Sequence, residues 1–297
     1  MLTVNQETCK GCGLCAKICP RHVTVISEES GEKRAVVFEE RRELCLKCGQ
    51  CAALCKQGAI SVDGLDPDGY EDAREPNVNY EQMLAVLKQR RSVRQYKDKE
   101  IPREILDKIL DAVAVSPAIS GSEVIGVSVI TGGDKMRGLT GLGYSMYGGL
   151  EKKLKNPFIH FVMKRKAGER KVHMLENFVM PAMKWYIKWF EEERRDELRR
   201  DCQVVMLFHC DTLEPSGDEA CMLAAFHAVL AAETLGVGTC INGLFPPFIN
   251  RTKEIRQTIG LPDNHEVYAA LTLGYPKYKF KKTIPRKLGQ VRFIEWE

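Results

Sequence analysis

Two runs of four cysteines near the start of the sequence carry the clearest chemistry in this chain. The first run is Cys9, Cys12, Cys15 and Cys19, and the second is Cys45, Cys48, Cys51 and Cys55. Each run has the spacing C-x2-C-x2-C-x3-C, and the second repeats the first at an offset of 36 positions. Thiolates are soft ligands, and four of them at these spacings suit the iron corners of an iron–sulfur cube. The two runs therefore predict two 4Fe–4S clusters.

Zinc and disulfides are the other common uses of clustered cysteines, and both fit this pattern less well. Structural zinc sites usually combine two neighbouring ligands with two distant ones. Disulfides need an oxidising compartment, whereas the first residues do not read as a signal peptide. The longest apolar stretch, Ala220 to Ala232, is shorter than the roughly 20 residues that span a bilayer. We therefore expect a cytoplasmic protein.

Residues 1–63 resemble a bacterial-type ferredoxin with two clusters. In that arrangement the last cysteine of each run binds the cluster of the other run. The expected ligand sets are Cys9, Cys12, Cys15 and Cys55 for one cluster and Cys45, Cys48, Cys51 and Cys19 for the other. Pro20 follows the first run, as the motif expects, whereas Lys56 follows the second. Lys56 is not a ligand, so the departure bears on the cluster potential and not on ligation.

The bulk composition indicates a soluble globular chain with room for about two domains at 297 residues. Hydrophobic residues make up 44% and charged residues 28%, both ordinary values, and a net charge of +4 is too small to indicate nucleic-acid binding. Turn-forming residues without hydrophobic periodicity fill residues 64–79. We therefore expect a cluster domain at 1–63, a linker at 64–79 and a second domain at 80–297.

The second domain is predicted to alternate helices and strands. Helical periodicity begins at Tyr80 and again after Pro102. Buried strands are predicted at 124–130, 203–208 and 267–273, and 218–235 reads as a helix that is apolar nearly all round and therefore central. This order indicates an α/β or α+β domain. The cysteines outside the two runs are interpreted as buried core thiols; they are Cys202, Cys210, Cys221 and Cys240.

Three separated segments of the second domain suggest a site for an anionic, planar ligand. The first, residues 90–94, reads Arg-Arg-Ser-Val-Arg and offers forked donors that suit phosphate. The second, residues 236–243, contains glycines that allow close approach of a flat ring. The third is Gly-Tyr-Pro at 274–276, followed by a basic tail. Taken singly, these segments are equally well a dipole-matched helix end, a helix stop signal and a solvated tail.

Together and in this order, the three segments resemble the FMN-dependent nitroreductase family from Tyr80 to the C-terminus. The resemblance rests on the Arg-Ser-Arg signature, on residues 231–238 ahead of an Asn-Gly pair, and on the Leu-Gly-Tyr-Pro turn. It implies an α+β homodimer with a central antiparallel or mixed sheet flanked by helices, and FMN at the subunit interface. The implied cofactor contacts are Arg90, Arg91, Ser92, Arg94, Asn242, Gly243 and Arg286, joined by Pro117, Ala118 and Ser120, which would reach the partner's flavin.

The sequence departs from the family pattern after the second predicted helix. Gly121 and Glu123 stand where the family usually has asparagine and glutamine. One polar contact to the flavin is then lost or moves to a neighbouring serine. If the Glu123 carboxylate faced the ring, its charge would disfavour an anionic reduced flavin.

Two further segments bear on partners and substrate. Residues 150–171 hold eight Lys or Arg against two acidic residues, which suits either a solvated surface or a docking patch for an acidic redox protein. Phe178, Ala182, Trp185 and Trp189 recur at helical spacing. Such a stripe is usually core, and the alternative is a substrate lid formed by Met174, Phe178 and Trp185.

The combined interpretation is a ferredoxin–nitroreductase fusion that passes electrons from the clusters to FMN and on to a small organic acceptor such as a nitroaromatic or a quinone. The expected donor is ferredoxin-like. NAD(P)H remains open as a donor, although no G-x-G-x-x-G follows a strand. The alternatives are a dehydrogenase that exports electrons through the clusters and a redox carrier or sensor without a substrate. No catalytic acid or base is identified, since His160, His173, His209 and His227 read as packing or surface residues.

Overall fold

The computed structural model describes residues 2–29, 31–119 and 121–296. The N-terminal part consists of two small antiparallel sheets and two short helices. Its elements are β1 (Leu2–Val4), α1 (Leu14–Ile18), β2 (Thr24–Glu29), β3 (Glu32–Val37), a 3-10 helix (Glu39–Leu44), α2 (Gln50–Ala53) and β4 (Ile60–Val62). Strand β1 pairs with β4, and β2 pairs with β3. Each cysteine run is thus followed by a strand, β2 after the first run and β4 after the second.

The two halves of this part repeat each other in backbone conformation as well as in sequence. A left-handed glycine precedes each short helix: Gly13 has φ 78° before α1, and Gly49 has φ 69° before α2. Only glycine adopts this conformation without steric cost, and it turns the cysteine loop directly into the helix. The buried residues of this part include cysteines of both runs beside Leu2, Ile60 and Val62. The apolar core is small, and the cysteine loops form part of it.

Residues 64–79 contain one 3-10 turn, Pro67–Gly69, and no other helix or strand. Helix α3 (Tyr80–Gln89) then begins at a capping box. The Asn79 side chain accepts from the Gln82 amide at 2.9 Å, and the Gln82 side chain accepts from the Asn79 amide at 3.0 Å. These reciprocal bonds satisfy two of the free amides at the helix start. The second unit therefore begins at a sharply defined residue.

The second unit is built on one four-stranded antiparallel sheet. Its strands are β5 (Gly126–Thr131), β6 (Val204–Asp211), β7 (Gly238–Ile241) and β8 (His265–Gly274), in the spatial order β5-β6-β8-β7. Its further helices are α4 (Arg103–Ala114), α5 (Gly133–Leu154), α6 (Pro157–Ala167), α7 (Glu169–Met174), α8 (Met180–Glu192), α9 (Gly217–Thr234), α10 (Phe245–Arg251) and α11 (Lys253–Thr258). A π-helical segment, Leu175–Val179, joins α7 to α8. The α+β prediction is confirmed.

Strand β6 explains why the middle of the sequence reads as a continuous apolar run. Its residues alternate between two cores, with Met206 and Phe208 packed on the side of α4 and α9. Val205 and Leu207 pack on the opposite side, against residues of α5, α8 and α10. A strand that is covered on both faces needs apolar residues at every position. The sheet is thus the middle layer between two groups of helices.

Two predictions about buried helices are wrong in part. Helix α9 packs against α4, β6 and β8 but exposes Met222, Leu223 and Phe226 on its other side. The aromatic stripe is not core at Phe178 and Trp185, which are 69% and 57% exposed. Periodicity located both helices, whereas it does not show which apolar side chains find a partner within a single chain. No helix in the described part of the chain is long and apolar enough to cross a membrane.

Candidate functional site

The cysteines line two cavities, and each cavity combines three thiols of one run with the last thiol of the other. The walls of one cavity include Cys9, Cys12, Cys15 and Cys55. The walls of the other include Cys45, Cys48, Cys51 and Cys19. Cys51 also reaches the wall of the first cavity. These are the two ligand sets that the crossed arrangement predicts. The fold therefore brings together residues that are up to 46 positions apart, as Cys9 and Cys55 are.

Backbone amides point at several of the sulfur atoms. The Val23 amide donates to Cys19 Sγ at 3.3 Å, and the Ala59 amide donates to Cys55 Sγ at 3.3 Å. These two bonds are related by the 36-residue repeat. Amide donors stabilise negative charge on a thiolate that binds a cluster, and they therefore raise the reduction potential of the cluster. The surroundings of the cysteines fit a cluster whose charge grows on reduction.

The thiols are not arranged for a single ion. Within the described ranges, no three Cys, His, Asp or Glu side chains form a group that could hold one metal ion. Burial raises the pKa of the Cys51 thiol to about 11, and repulsion from Cys48, Cys45 and Cys19 adds to the rise. Metal ligation requires the thiolate, so cluster assembly must displace this proton. Sulfur chemistry, cavity walls and amide donors together fit iron–sulfur clusters.

The Arg-Arg-Ser-Val-Arg segment lies along the edge strand of the sheet. After α3 the backbone becomes extended, Ser92 pairs in parallel with Thr239 of β7, and the Val93 amide donates to the Thr239 carbonyl at 2.8 Å. Burial then alternates along the segment, because successive side chains of an extended chain point to opposite faces. Arg91 and Val93 are buried, whereas Arg94 is exposed and Arg90 and Ser92 are half-buried. Three of the predicted cofactor contacts therefore share one face.

Arg91 lies on the other face and already has four hydrogen-bond acceptors. Its Nη1 donates to the carbonyls of Lys88, Gln89 and Arg90 at 2.7, 3.3 and 2.9 Å. Its Nη2 donates to the Lys282 carbonyl at 3.3 Å. These bonds satisfy carbonyls at the end of α3, which is the helix-end alternative raised by the sequence. The assignment of Arg91 to the cofactor stays a prediction.

The glycines of this region allow the segment to pack closely on the sheet. A Cβ at Gly238 would lie 2.6 Å from Val93 Cγ2, and one at Gly274 would lie 2.6 Å from the Tyr96 ring. The sequence suggested that the glycines of residues 236–243 admit a flat ring, whereas Gly238 admits the Val93 side chain; Gly274 likewise admits the Tyr96 ring. Gly243 differs, because a Cβ there would meet nothing within 4 Å. It leaves open space at the end of β7.

Asn242 is held by its side chain. Its amide nitrogen donates to the Leu198 carbonyl at 2.7 Å, and its amide oxygen accepts from the Leu244 amide at 3.1 Å. The side chain therefore fixes the turn that carries Gly243, and the backbone of this turn is the part left to approach a ring. That Asn242 and Gly243 lie near a flavin stays a prediction.

A buried carboxylate that the sequence analysis missed supports this turn. Asp196, 1% exposed, accepts from Thr140 Oγ1 at 2.6 Å and from Tyr144 Oη at 3.1 Å. The Leu198 amide in turn donates to Tyr144 Oη at 2.9 Å, so Leu198 connects this network to Asn242. In the sequence Asp196 stands within a run of charged residues that reads as surface. Only the fold shows that it is internal.

The remaining predicted contacts lie apart from the arginine segment in the chain. Pro117 is exposed and Ala118 is half-buried in the turn after α4, while Ser120 lies outside the described residues. Arg286 is exposed on the extended C-terminal segment. Next to this turn, the buried hydroxyl of Ser116 has no hydrogen-bond partner among the described residues. An orphaned hydroxyl fits a turn that a second protomer or a ligand completes.

The two departures from the family pattern lie against each other. Gly121 has φ 91°, and a Cβ there would lie 2.2 Å from Oε2 of Glu123. The carboxylate therefore lies over the glycine backbone. A side chain at position 121 would displace this carboxylate.

Two histidines that the sequence analysis read as packing or left aside meet at one end of the sheet. His209 Nδ1 of β6 lies 2.9 Å from His265 Nδ1 of β8, and His209 Nε2 lies 3.2 Å from Ser128 Oγ. Burial, together with the neighbouring His265, lowers the pKa of His209 to about 4. A neutral imidazole here serves packing and hydrogen bonding, as predicted for His209.

Comparison with known protein families agrees with both halves of this description. The model of the nitroreductase family matches residues 87–275, and the model of the 4Fe-4S dicluster domain matches residues 8–59. The fold and the thiol-lined cavities define an oxidoreductase that carries an iron–sulfur domain. The chain belongs to the nitroreductase family. The resemblance to a ferredoxin fused to a nitroreductase is thereby confirmed.

Individual relatives are distant. Two archaeal proteins named "Putative NADH dehydrogenase/NAD(P)H nitroreductase" are similar to this chain. The one from Methanothermobacter thermautotrophicus is 26% identical over 198 residues, which are 65% of this chain and 77% of the relative. The one from Archaeoglobus fulgidus is 25% identical over 201 residues, or 66% of this chain and 87% of the relative.

A solved nitroreductase from Bacteroides fragilis, with bound FMN, matches with a TM-score of 0.53 and 21% identity. The match covers 73% of this chain and all of that structure. A second, from Desulfitobacterium hafniense, matches with a TM-score of 0.52 and 17% identity over 72% of this chain and 98% of that structure. At this level of identity the likeness is one of fold.

Proposed function

We propose that this chain is an iron–sulfur flavoprotein that passes electrons from a ferredoxin-type donor through two 4Fe–4S clusters to FMN and reduces a small electrophilic organic acceptor. The proposed domains are residues 1–63 and 80–297, joined by 64–79. When bound, the clusters carry single electrons, and FMN combines two of them for transfer as a hydride. Coupling both cofactor types in one chain would make a separate nicotinamide site unnecessary.

The observation that carries this proposal is the pair of crossed cysteine cavities. The cluster domain alone would suggest an electron carrier, and the second domain alone would suggest an enzyme that takes electrons from a separate donor. A chain with two clusters ahead of a nitroreductase-family domain would carry the donor's electrons to that domain within one polypeptide. The two cavities are adjacent, since Cys51 lies in the walls of both.

The residues proposed to hold FMN are those on the accessible face of the arginine segment. Arg90 and Arg94 would hold the phosphate with forked donors, and Ser92 would contribute its hydroxyl. The turn at Gly243 would present its backbone to the ring, because its surroundings are open. Ser116 and the following turn would complete the site from a second protomer, which gives its orphaned hydroxyl a partner.

We propose that the helical insertion between β5 and β6 covers the acceptor side of the site. Met174, Phe178 and Trp185 are exposed at 50%, 69% and 57%. Large apolar side chains that are exposed to water often mark a site that binds another molecule. We propose that these three cover the bound acceptor. Such a lid would exclude water during hydride transfer.

The test is an anaerobic titration of the purified full-length chain with a low-potential donor. We expect about eight iron atoms and about one FMN per chain, with flavin bleaching that follows cluster reduction. An R90Q/R94Q variant should keep its iron and lose FMN affinity. R103Q serves as the matched control, because Arg103 forms a surface pair with Asp107. Clusters that reduce while the flavin stays oxidised would contradict the proposed order of electron transfer.

A further inference from the structure

A second cationic site lies on the face of the arginine segment that the proposed flavin contacts do not use. A cavity of about 660 Å³ opens there between the segment, the end of α9 and the C-terminal tail. Its lining includes Arg91 and Val93 of the arginine segment, together with Gln89 at the end of α3 and Lys97 after the segment. Arg91 and Val93 are the odd-numbered residues of the extended segment, whereas the proposed flavin contacts Arg90, Ser92 and Arg94 are even-numbered. The alternation of an extended chain therefore separates the two sites.

The tail brings most of the charge. The Lys97 amide donates to the Tyr275 carbonyl at 2.8 Å, and the Lys277 amide donates to the Gln95 carbonyl at 3.0 Å, so the tail pairs with the segment as it leaves the sheet. The cations that line the cavity are Arg91, Lys97, Lys277, Lys279, Lys281 and Lys282, against one carboxylate, Glu233. In the described part of the chain, none of these six cations forms an ion pair with a carboxylate within 4.0 Å. Six like charges around one opening create a strong positive potential.

One cation of this set is built into the wall. Arg91 is 8% exposed, and its Nε is buried without a hydrogen-bond partner among the described residues. Its Nη groups are fixed by the end of α3 and by the Lys282 carbonyl, so the guanidinium cannot turn towards solvent. Arg91 therefore contributes a fixed positive charge to the wall of the cavity, while its donors are taken by the protein backbone or covered. The lysines around it are exposed and free to close on a ligand.

We propose that this cavity binds a small polyanion that carries two or more phosphate groups. Its volume falls within the roughly 300–1,000 Å³ of small-molecule sites. A diphosphate matches this lining, because the exposed lysine ammonium groups offer charge-assisted donors to phosphate oxygens beside the fixed charge of Arg91. The inference does not depend on the proposed electron path. The basic tail, which the sequence alone leaves as a solvated segment, would then bind this polyanion.

The test is calorimetric titration of the full-length, FMN-loaded protein with inorganic pyrophosphate at constant ionic strength. Because the flavin site is filled, its phosphate contacts are not available to the probe. We expect one pyrophosphate per chain, and a K279Q/K281Q variant should bind at least about tenfold more weakly, since each lysine supplies a charge-assisted contact. R165Q/K166Q removes the same charge from the end of α6 and should leave the dissociation constant unchanged. The lysines at 279 and 281 are exposed, so their replacement should not disturb folding.

Three outcomes would overturn the proposal. Equal weakening in both double variants would mean that net charge alone attracts the anion. Release of FMN on addition of pyrophosphate would place the probe in the flavin site. Tighter binding of a single-stranded oligonucleotide than of pyrophosphate, lost in K279Q/K281Q, would identify the tail as a nucleic-acid surface. In each case FMN and iron contents, measured before titration, report on the proposed function separately.

Discussion

At the scale of single residues, the ligation pattern of the clusters can be tested by pairing substitutions. The walls of the two cavities place Cys12 with Cys55 and Cys48 with Cys19. If ligation is crossed, C12S and C55S damage the same cluster, although the two residues belong to different runs. We expect the C12S/C55S double variant to lose no more iron than either single variant, about four of eight atoms, because coupled sites are not additive.

The control for this prediction is C12S/C48S, which should lose both clusters. C240S should keep all its iron, because Cys240 is a buried thiol on β7 outside either cavity. Iron content and the visible absorption of the clusters report the result. Complete iron loss in C12S/C55S would mean that each run binds its own cluster.

The histidine pair predicts a pH dependence of stability. The folded protein holds the pKa of His209 near 4, against about 6.5 when unfolded, so the unfolded chain takes up a proton first as the pH falls. The contribution of neutral His209 to the free energy of unfolding is therefore complete above about pH 6.5. It is lost as the pH falls from about 6.5 to 4, by roughly 3 kcal/mol at most. H209Q should flatten this part of the stability curve.

Urea unfolding followed by tryptophan fluorescence at several pH values measures this effect. All three tryptophans lie in residues 80–297 and report on the same unit as His209. H227Q is the matched control, since His227 is a partly buried histidine bonded to the Ala112 carbonyl. An identical slope in H209Q and H227Q would rule out His209 as the group responsible.

At the scale of elements, two glycines on either side of β7 predict opposite phenotypes. G238A should destabilise the fold by about 1–3 kcal/mol, because its Cβ would lie 2.6 Å from Val93 Cγ2 and 2.9 Å from Pro276 Cγ. G243A meets nothing within 4 Å and should leave stability unchanged while it weakens FMN binding. Thermal unfolding and flavin fluorescence titration separate the two effects. Equal flavin affinity in G243A and the wild type would remove this turn from the proposed site.

The elements also show what sequence reasoning can and cannot supply here. Regular patterns located all that depends on local periodicity: the cysteine loops, β6, and helices α4 and α9. Contacts between distant residues could not be predicted from these patterns, because no local feature of the sequence links Asp196 to Thr140 or His209 to His265. The role of Gly238 was misread for the same reason. A glycine that admits a side chain and one that admits a ligand look identical in a sequence.

At the scale of the whole molecule, exposed apolar surface supports the predicted homodimer. The C-terminal segment leaves Leu288, Phe293 and Trp296 at 81%, 96% and 96% exposure, and α9 leaves Met222 and Leu223 above 40%. A single chain has no other element to cover these side chains in the described structure. A second copy would cover them at the same time as it completed the flavin site.

The proposed dimer predicts that F293S/W296S shifts the protein towards monomer and lowers its FMN content, because in that dimer the interface would contribute to the flavin site. Q290S/R292S changes polar neighbours in the same segment and should do neither. Sedimentation velocity gives the oligomeric state, and the ratio of absorbance at flavin and protein wavelengths gives the FMN content. A wild-type chain that sediments as a monomer with full FMN would contradict the dimer.

The strip of five residues from Arg90 to Arg94 has a tightly constrained number of residues. The odd-numbered positions of this strip contact the end of a helix and line the cationic cavity, whereas the even-numbered positions are proposed to hold the flavin phosphate. Substitution alters one side and leaves the other intact. Insertion or deletion of a single residue exchanges the two sides beyond that point and disables both at once. Related chains are therefore expected to keep the number of residues in this strip.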